Sequence, residues 1–288
     1  MKRRVLTALI LTAPVLYLTL WAPLWLFLAV LLLVVARSAY EYFEISGTAG
    51  LGGLRWLGYL GCAALCLAQG ADLHLAAQSP TGSSFVVLLL TVCLIPTGLT
   101  LALIATSDLA RFLGAAGSTL FGVFYVGLLL SWILPLRFPT PALAQAAGAA
   151  GIAPGRILLF LFLVIWAGDI FAYLVGRGIG RHLIFPRISP KKTLEGSLAG
   201  LAGSLLAAWA LTHWGKTPDL KTAMLLAGLV AVAGQVGDLV ESALKRSAGL
   251  KDSGSLLPGH GGLLDRLDSV IFGAPVLWAA LMAKHLLS

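Results

Sequence analysis

The feature that most limits what this chain can become is the recurrence of apolar runs about 20 residues long, the length needed to cross a bilayer as a helix. Runs of that kind must be helical, because a lone strand in hydrocarbon leaves its backbone N–H and C=O groups unpaired. Only 11% of the 288 residues are charged and 59% are hydrophobic, against roughly 25% charged in a soluble domain. A soluble core is therefore excluded, and an all-α, polytopic integral membrane protein is expected. About nine spans are read, near 5–20, 23–36, 54–76, 84–105, 114–136, 156–176, 196–214, 222–242 and 269–286. Pro14 and Pro23 interrupt the first two, which read as a kinked hairpin or one bent unit.

MKRR precedes an apolar stretch that continues to about Ala36 without a small-x-small cleavage site, so it reads as a retained first helix with its basic end in the cytoplasm. On that topology most of the 20 lysines and arginines fall on the cytoplasmic side, with Arg137, Arg156, Lys216, Lys221 and Lys284 opposite. Both charged loops, 177–195 and 243–268, then share the cytoplasmic face. The formal charge of +8 would suggest nucleic acid in a soluble protein. Here it reflects orientation and an anionic substrate, and no nucleic acid partner is expected. Cys62, Cys66 and Cys93 lie inside apolar runs and read as small packing residues.

The nearly uncharged stretch 137–155 reads as an external connector. It divides residues 1–140, a scaffold of transmembrane helices, from residues 150–288, where most of the polar groups set into helices lie. In Gly196–Gly203 (GSLAGLAG) small residues recur at three- and four-residue spacing, which lets helix backbones approach closely in lipid. Tight packing within the chain is the simple reading, and a homodimer contact is the other use of such a stripe.

The densest charge lies in Ser242–Ser269, SALKRSAGLKDSGSLLPGHGGLLDRLDS. Charge beside a bilayer is costly, and intramembrane carboxylates are functional by default. Asp238 and Glu241 sit three apart on one helix face, and Lys245 continues it. A Glu241–Lys245 salt bridge at the helix end is the plain alternative for that pair. Asp265 and Asp268 form a second i, i+3 pair near a helix start, where the helix dipole alone would account for one of them. Three carboxylates of this kind are hard oxygen donors suited to Mg²⁺. The glycines flanking His260, including Gly261 and Gly262, let the backbone approach a ligand, and such turns suit phosphate. A lone histidine is otherwise an ordinary loop residue.

In the other loop, SPKKT offers Ser189, Lys191, Lys192 and Thr193 as a phosphate clamp, a helix cap, or both. Asp169 lies in an apolar run with Tyr173 one turn on, and it needs a partner; Lys191 or Lys192 folding back would serve. Gly176, Gly178 and Gly180 imitate a nucleotide loop, but there is no βαβ context for one. His74, His213 and His285 read as interfacial residues at helix ends.

Taken together, SALKR, KD and PGHGGLLDRLDS, with GDLVES before them and SPKKTLEG upstream, resemble the motifs of the phosphatidate cytidylyltransferases, or CDP-diacylglycerol synthases. The resemblance spans roughly residues 165–270, and its one mild departure is Leu194, where the family commonly carries an aromatic residue. It implies transfer of the cytidylyl group of CTP to phosphatidic acid, with release of pyrophosphate and use of Mg²⁺, at the cytoplasmic face of the inner membrane. Carried onto this chain, it implies that Asp238 and Asp265 hold Mg²⁺ and that Asp268 supports that site or a second cation. Lys245, Arg246, Lys251 and Arg266 would contact phosphates, and His260, Gly261 and Gly262 would line the pyrophosphate. Ser189, Lys191, Lys192 and Thr193 would clamp a phosphate, with Asp169 and Glu241 orienting these groups.

Other classes remain. A CTP-dependent lipid kinase is one. A CDP-alcohol phosphotransferase would need a D-x-x-D-G-x-x-A-R pattern that is absent. A transporter using Asp169, Asp238 and Glu241 as ion-coupling carboxylates would need two related halves, and no repeat is found.

Overall fold

The computed structural model describes residues 12–78, 85–106, 109–148, 155–215, 219–256 and 261–287. Regular structure among these residues is helical, apart from isolated bridge positions, among them an antiparallel bridge between Leu183 and Thr193. We number the helices α1 (Leu24–Thr48), α2 (Arg55–Gln78), α3 (Phe85–Ala105), α4 (Leu109–Gly122), α5 (Leu129–Ser131), α6 (Ile133–Arg137), α7 (Pro141–Ala146), α8 (Arg156–Ile179), α9 (Leu194–Gly215), α10 (Leu220–Ser247) and α11 (Leu264–Leu287). A π-helical turn, Val123–Leu128, joins α4 to α5.

Seven stretches among the described residues are long and apolar enough to cross a membrane: Leu24–Thr48, Val86–Ala105, Leu109–Arg137, Arg156–Ile179, Leu194–His213, Leu220–Ser247 and Leu264–Leu287. The chain is thus an all-α, polytopic membrane protein, with seven such spans where the apolar runs suggest about nine. The expected span at 54–76 is the helix α2, but Gln69, Asp72 and His74 dilute its apolar character. The expected span at 5–20 falls partly outside the described residues; residues 12–20 are helical.

The chain divides into two compact units. The first takes in Ala22–Pro135 and Leu244–Arg266; the second takes in Pro14–Trp21, Leu136–Ala243 and Leu267–Ser288. The charged stretch 244–266 therefore groups with the N-terminal helices.

In the first unit, α1, α2 and α4 meet around an aromatic cluster. Tyr42 and Phe43 are edge-on at 5.1 Å, and Phe121 stacks on Tyr125 at 5.4 Å. Such pairs add to the burial of their apolar area. The Tyr42 hydroxyl donates to Ser118 O at 2.8 Å, so the ring buries without stranding its polar tip. Asp72, itself buried, accepts from Val86 N at 3.0 Å and Val87 N at 3.1 Å. It supplies acceptors for two of the orphan N–H groups that begin α3. Cys62 and Cys66 are buried free thiols and Cys93 is exposed.

In the second unit, α8 and α9 press together along small residues. A methyl added at Gly200 would lie 3.1 Å from Ala172 Cβ and 3.1 Å from Gly168 O, and one at Gly168 would lie 2.5 Å from Ser204 Oγ. The Gly196–Gly203 stripe is thereby used against α8 of the same chain. Gln235 Nε2 donates to Ser197 O at 3.0 Å and ties α10 to α9. On α10, Gly237 lets Asp268 O of α11 come within 2.3 Å of where a Cβ would stand. The connector expected at 137–155 contains α7, capped by Thr140 Oγ1 with Pro141 in its first turn.

The α8–α9 seam gives a direct test. Gly200→Val should lower stability by about 1–3 kcal/mol, the usual cost of overpacking. Thermal unfolding in detergent, followed by far-UV circular dichroism, will measure it.

Candidate active site

The first unit carries half of the charged side chains expected to do chemistry. Helix α10 ends at Ser247 because Gly249 takes a left-handed φ of 69°. Leu250 N and Gly249 N return to Lys245 O and Arg246 O at 2.8 and 3.0 Å, closing the last turn. Arg246 reinforces that end by donating to Leu250 O at 2.7 Å. Lys245, one turn earlier, is buried, and its Nζ donates to Asp265 Oδ1 at 2.5 Å.

Asp265 sits at the start of α11 with only 8% of its side chain exposed. Its Oδ2 accepts from Gly262 N at 2.7 Å and Ser253 N at 2.9 Å, and the Ser253 hydroxyl, whose one proton is shared with Glu41, lies 3.0 Å away. These are the donors that a buried carboxylate requires. The glycines before α11 were expected to open the backbone toward a phosphate. Instead, Gly262 N is taken by Asp265, and a Cβ at Gly262 would lie 2.1 Å from Ser253 Oγ and 2.3 Å from Glu41 Oε2. Gly261 has φ 79°, and a Cβ there would meet Asp265 Oδ2 at 2.5 Å. Both glycines make room for the protein's own carboxylates. His260 lies outside the described residues.

Glu41 is the residue that sequence reasoning missed. It stands on α1, is 1% exposed, and pairs with Arg37 NH2 at 3.1 Å. Its Oε1 accepts from Leu263 N at 3.0 Å, and its Oε2 accepts from Leu264 N and Ser253 Oγ, both at 2.8 Å. The cap of α11 thus comes from a different helix. The available signal was RSAYEYFE, where Arg37 and Glu41 share a helix face just past the end of an apolar run.

The second unit carries the rest. Asp238 Oδ2 pairs with Lys192 Nζ at 2.7 Å, and Ser242 Oγ donates to Asp238 Oδ1 at 3.3 Å. Lys192 reaches this position because the loop before α9 folds back on itself. Ile184 N donates to Lys192 O at 3.2 Å and Leu194 N to His182 O at 2.8 Å, around the Leu183–Thr193 bridge. Thr193 is the N-cap of α9, its Oγ1 accepting from Gly196 N at 3.2 Å. Glu195 in the first turn, the glutamate of SPKKTLEG, binds Arg181 N, His182 N and the His182 ring and clamps the loop. Ser189 O accepts from Lys192 N within the turn, and Lys191 is exposed.

Glu241 is fully buried on α10, and Asp268 Oδ1 accepts from Ser269 N at 2.7 Å. Asp169 lines a small cleft together with Gly168, Ala172, Ser204, Gln235 and Ser269. Lys251 and Arg266 are exposed. Among the described residues no three His, Cys, Asp or Glu side chains converge as a ready metal cage.

Apolar helices long enough to cross a membrane, with lysine–aspartate pairs and exposed cations toward their ends, define a helical membrane protein. A model of the cytidylyltransferase family matches residues 2–283. The chain belongs to that family. It is similar to the phosphatidate cytidylyltransferase of Synechocystis sp., at 44% identity over 154 residues, which is 51% of this chain and 46% of that protein. It is also similar to the phosphatidate cytidylyltransferases of Staphylococcus epidermidis (46% over 126 residues, 42% of this chain and 47% of that protein) and Staphylococcus haemolyticus (45% over 121 residues, 42% and 46%). The aligned part spans about half the length of these relatives.

Two substitutions check the local geometry. Gly262→Ala should lower activity sharply, because its methyl collides with Ser253 and Glu41; initial rates of the purified variant will show it. Thr193→Ala should cost about 1 kcal/mol of stability by removing the α9 cap, read from the thermal unfolding midpoint.

Proposed function

We propose that this chain transfers the cytidylyl group of CTP to phosphatidic acid, giving CDP-diacylglycerol and pyrophosphate, at the cytoplasmic face of the bacterial inner membrane. The observation that carries this reading is the family match across residues 2–283, joined to 44–46% identity with relatives named phosphatidate cytidylyltransferase. The asymmetry of basic residues supports the face.

In this reaction an oxygen of the lipid phosphate attacks the α-phosphorus of CTP in line. The bond from that phosphorus to the β,γ-diphosphate breaks, and pyrophosphate leaves with the electron pair. The attacking oxygen is already anionic, so no covalent enzyme nucleophile is needed. The demand is electrostatic: two anions must be brought together and the charge on the leaving group stabilised.

The cations of the chain divide into two kinds for this task. Arg246, Lys251, Arg266 and Lys191 are exposed and can meet a triphosphate arriving from water. Lys245 and Lys192 are held in place by Asp265 and Asp238, so their positive charge is oriented before substrate binds. The Thr193 hydroxyl accepts from the backbone of α9 and keeps its proton to donate, and Ser189 lies in the same loop. In our reading Ser189, Lys191, Lys192 and Thr193 of that loop clamp one phosphate. Asp169 and Glu241 orient neighbouring groups, and His260 with Gly261 and Gly262 borders the pyrophosphate.

Asp238, Asp265 and Asp268 are each, by chemistry, hard carboxylate donors of the kind Mg²⁺ takes, and in our reading they would supply its ligands. Asp238, with 35% of its side chain exposed, is the open donor, whereas Asp265 would exchange its Lys245 contact for an ion. Bound there, the metal would neutralise charge on the triphosphate and favour departure of pyrophosphate. Asp268 would support that ion or a second cation.

The test is purified protein in mixed micelles with labelled CTP, phosphatidic acid and Mg²⁺. Equal amounts of CDP-diacylglycerol and pyrophosphate are expected, with turnover abolished by chelation and restored by Mg²⁺. No lipid-linked nucleotide with any divalent metal would overturn the reading. Asp265→Ala and Asp238→Asn should each reduce kcat by at least ~100-fold, as loss of a metal or charge-stabilising group does, while the protein still inserts and unfolds cooperatively.

A further inference from the structure

We propose that Glu41 is a positioning residue for this reaction, holding the α10–α11 loop so that Lys245 and Asp265 are set before substrate arrives. The inference rests on the cytidylyl-transfer reading above and extends it to a helix that carries none of the family motifs.

Three observations support it. First, Glu41 is 1% exposed, and burying a carboxylate costs several kcal/mol unless it is compensated. Apart from Arg37 on its own helix, the partners that bind its carboxylate lie in the stretch before and at the start of α11: Ser253 Oγ, Leu263 N and Leu264 N. Second, the loop is shaped around that carboxylate. A Cβ at Gly254 would stand 2.9 Å from Glu41 Oε1, and one at Gly262 would stand 2.3 Å from Oε2. Third, Ser253 connects Glu41 to Asp265. Its hydroxyl lies 2.8 Å from Glu41 Oε2 and 3.0 Å from Asp265 Oδ2, and its backbone N–H donates to Asp265 at 2.9 Å. Asp265 in turn holds Lys245. Arg37, Glu41, Ser253, Asp265 and Lys245 thus form one charge-balanced chain of contacts, with two cations facing two carboxylates.

Asp72 provides the internal comparison. It too is a buried carboxylate capping a helix, and among the described residues its bonds go to Val86 N and Val87 N of that cap. Glu41 does the same for α11 and additionally reaches Ser253.

The experiment compares wild type, Glu41→Gln, Ser253→Ala, the double variant and Asp72→Asn in the same micelles with CTP, phosphatidic acid and Mg²⁺. Glutamine keeps the size of Glu41 but turns an amide NH₂ toward backbone N–H donors, so one of those donors loses its acceptor. Ser253→Ala leaves the Glu41 bonds to Leu263 N and Leu264 N and the Ser253 N–H bond to Asp265 in place, and removes only the hydroxyl that joins the two carboxylates. Both single variants should lose kcat by roughly 10- to 100-fold, the usual effect of removing a group that orients an active-site ligand. KM for CTP and for phosphatidic acid should stay within about twofold of wild type, because the change acts on the transition state. The double variant should be no slower than Glu41→Gln, since both changes cut one chain of contacts. Asp72→Asn should lower Tm and leave kcat unchanged. Wild-type kcat in Ser253→Ala with normal Tm would overturn the proposal, as would losses that multiply in the double variant and track a falling Tm. If Glu41→Gln does not fold, Ser253→Ala still decides. A wild-type protein that makes no CDP-diacylglycerol would overturn the functional reading itself, and the role of Glu41 with it.

Discussion

An ionised carboxylate taken out of water has to be met by cations and N–H donors, and in this chain that requirement is concentrated on Asp265 and Glu41. Asp265 is met by Lys245, Ser253 and Gly262; Glu41 is met by Arg37, Ser253 and the first N–H groups of α11. Each partner is a structural commitment. The start of α11 and the turn before it follow from satisfying two buried negative charges. The same solution recurs in the second unit, where Asp238 is met by Lys192 and Ser242.

This explains which parts of the molecule could be read from sequence. Long apolar runs impose helices on a membrane protein, so element type followed directly, as did the capping role of Thr193, which is local chemistry. Helix ends were harder. The apolar run of α1 stops near Ala36, yet the helix continues to Thr48 because Arg37 and Glu41 neutralise one another across a turn. The last helix begins at Leu264, close to where the Asp265–Asp268 pair placed a helix start, but its cap is provided by Glu41, more than 200 positions away in sequence. Ion pairs such as Lys192–Asp238 and Lys245–Asp265 join residues with no periodic relation, and no local pattern encodes them. The glycines around 261 were recognised as a place of close approach. What approaches them, a pair of internal carboxylates, was not visible from spacing.

The division of labour between the halves of the chain looks different as a result. Residues 1–140 read as scaffold because they lack dense charge. The structure groups Leu244–Arg266 with those helices, and α1 supplies the carboxylate around which that segment turns. A helix without motif residues can still decide where motif residues stand.

The α8–α9 seam has a further consequence for how this sequence can vary. At Gly196 and Gly200 a Cβ would stand 3.0 and 3.1 Å from the carbonyl oxygens of Ala172 and Gly168, contacts that no side-chain rotation can clear. Single substitutions along that line are therefore blocked, and drift there requires a compensating reduction on the facing helix. The loop between these two helices, which carries Lys191 and Lys192, is mounted on a joint without slack. Variation in how that loop meets its substrate must come from the loop residues themselves.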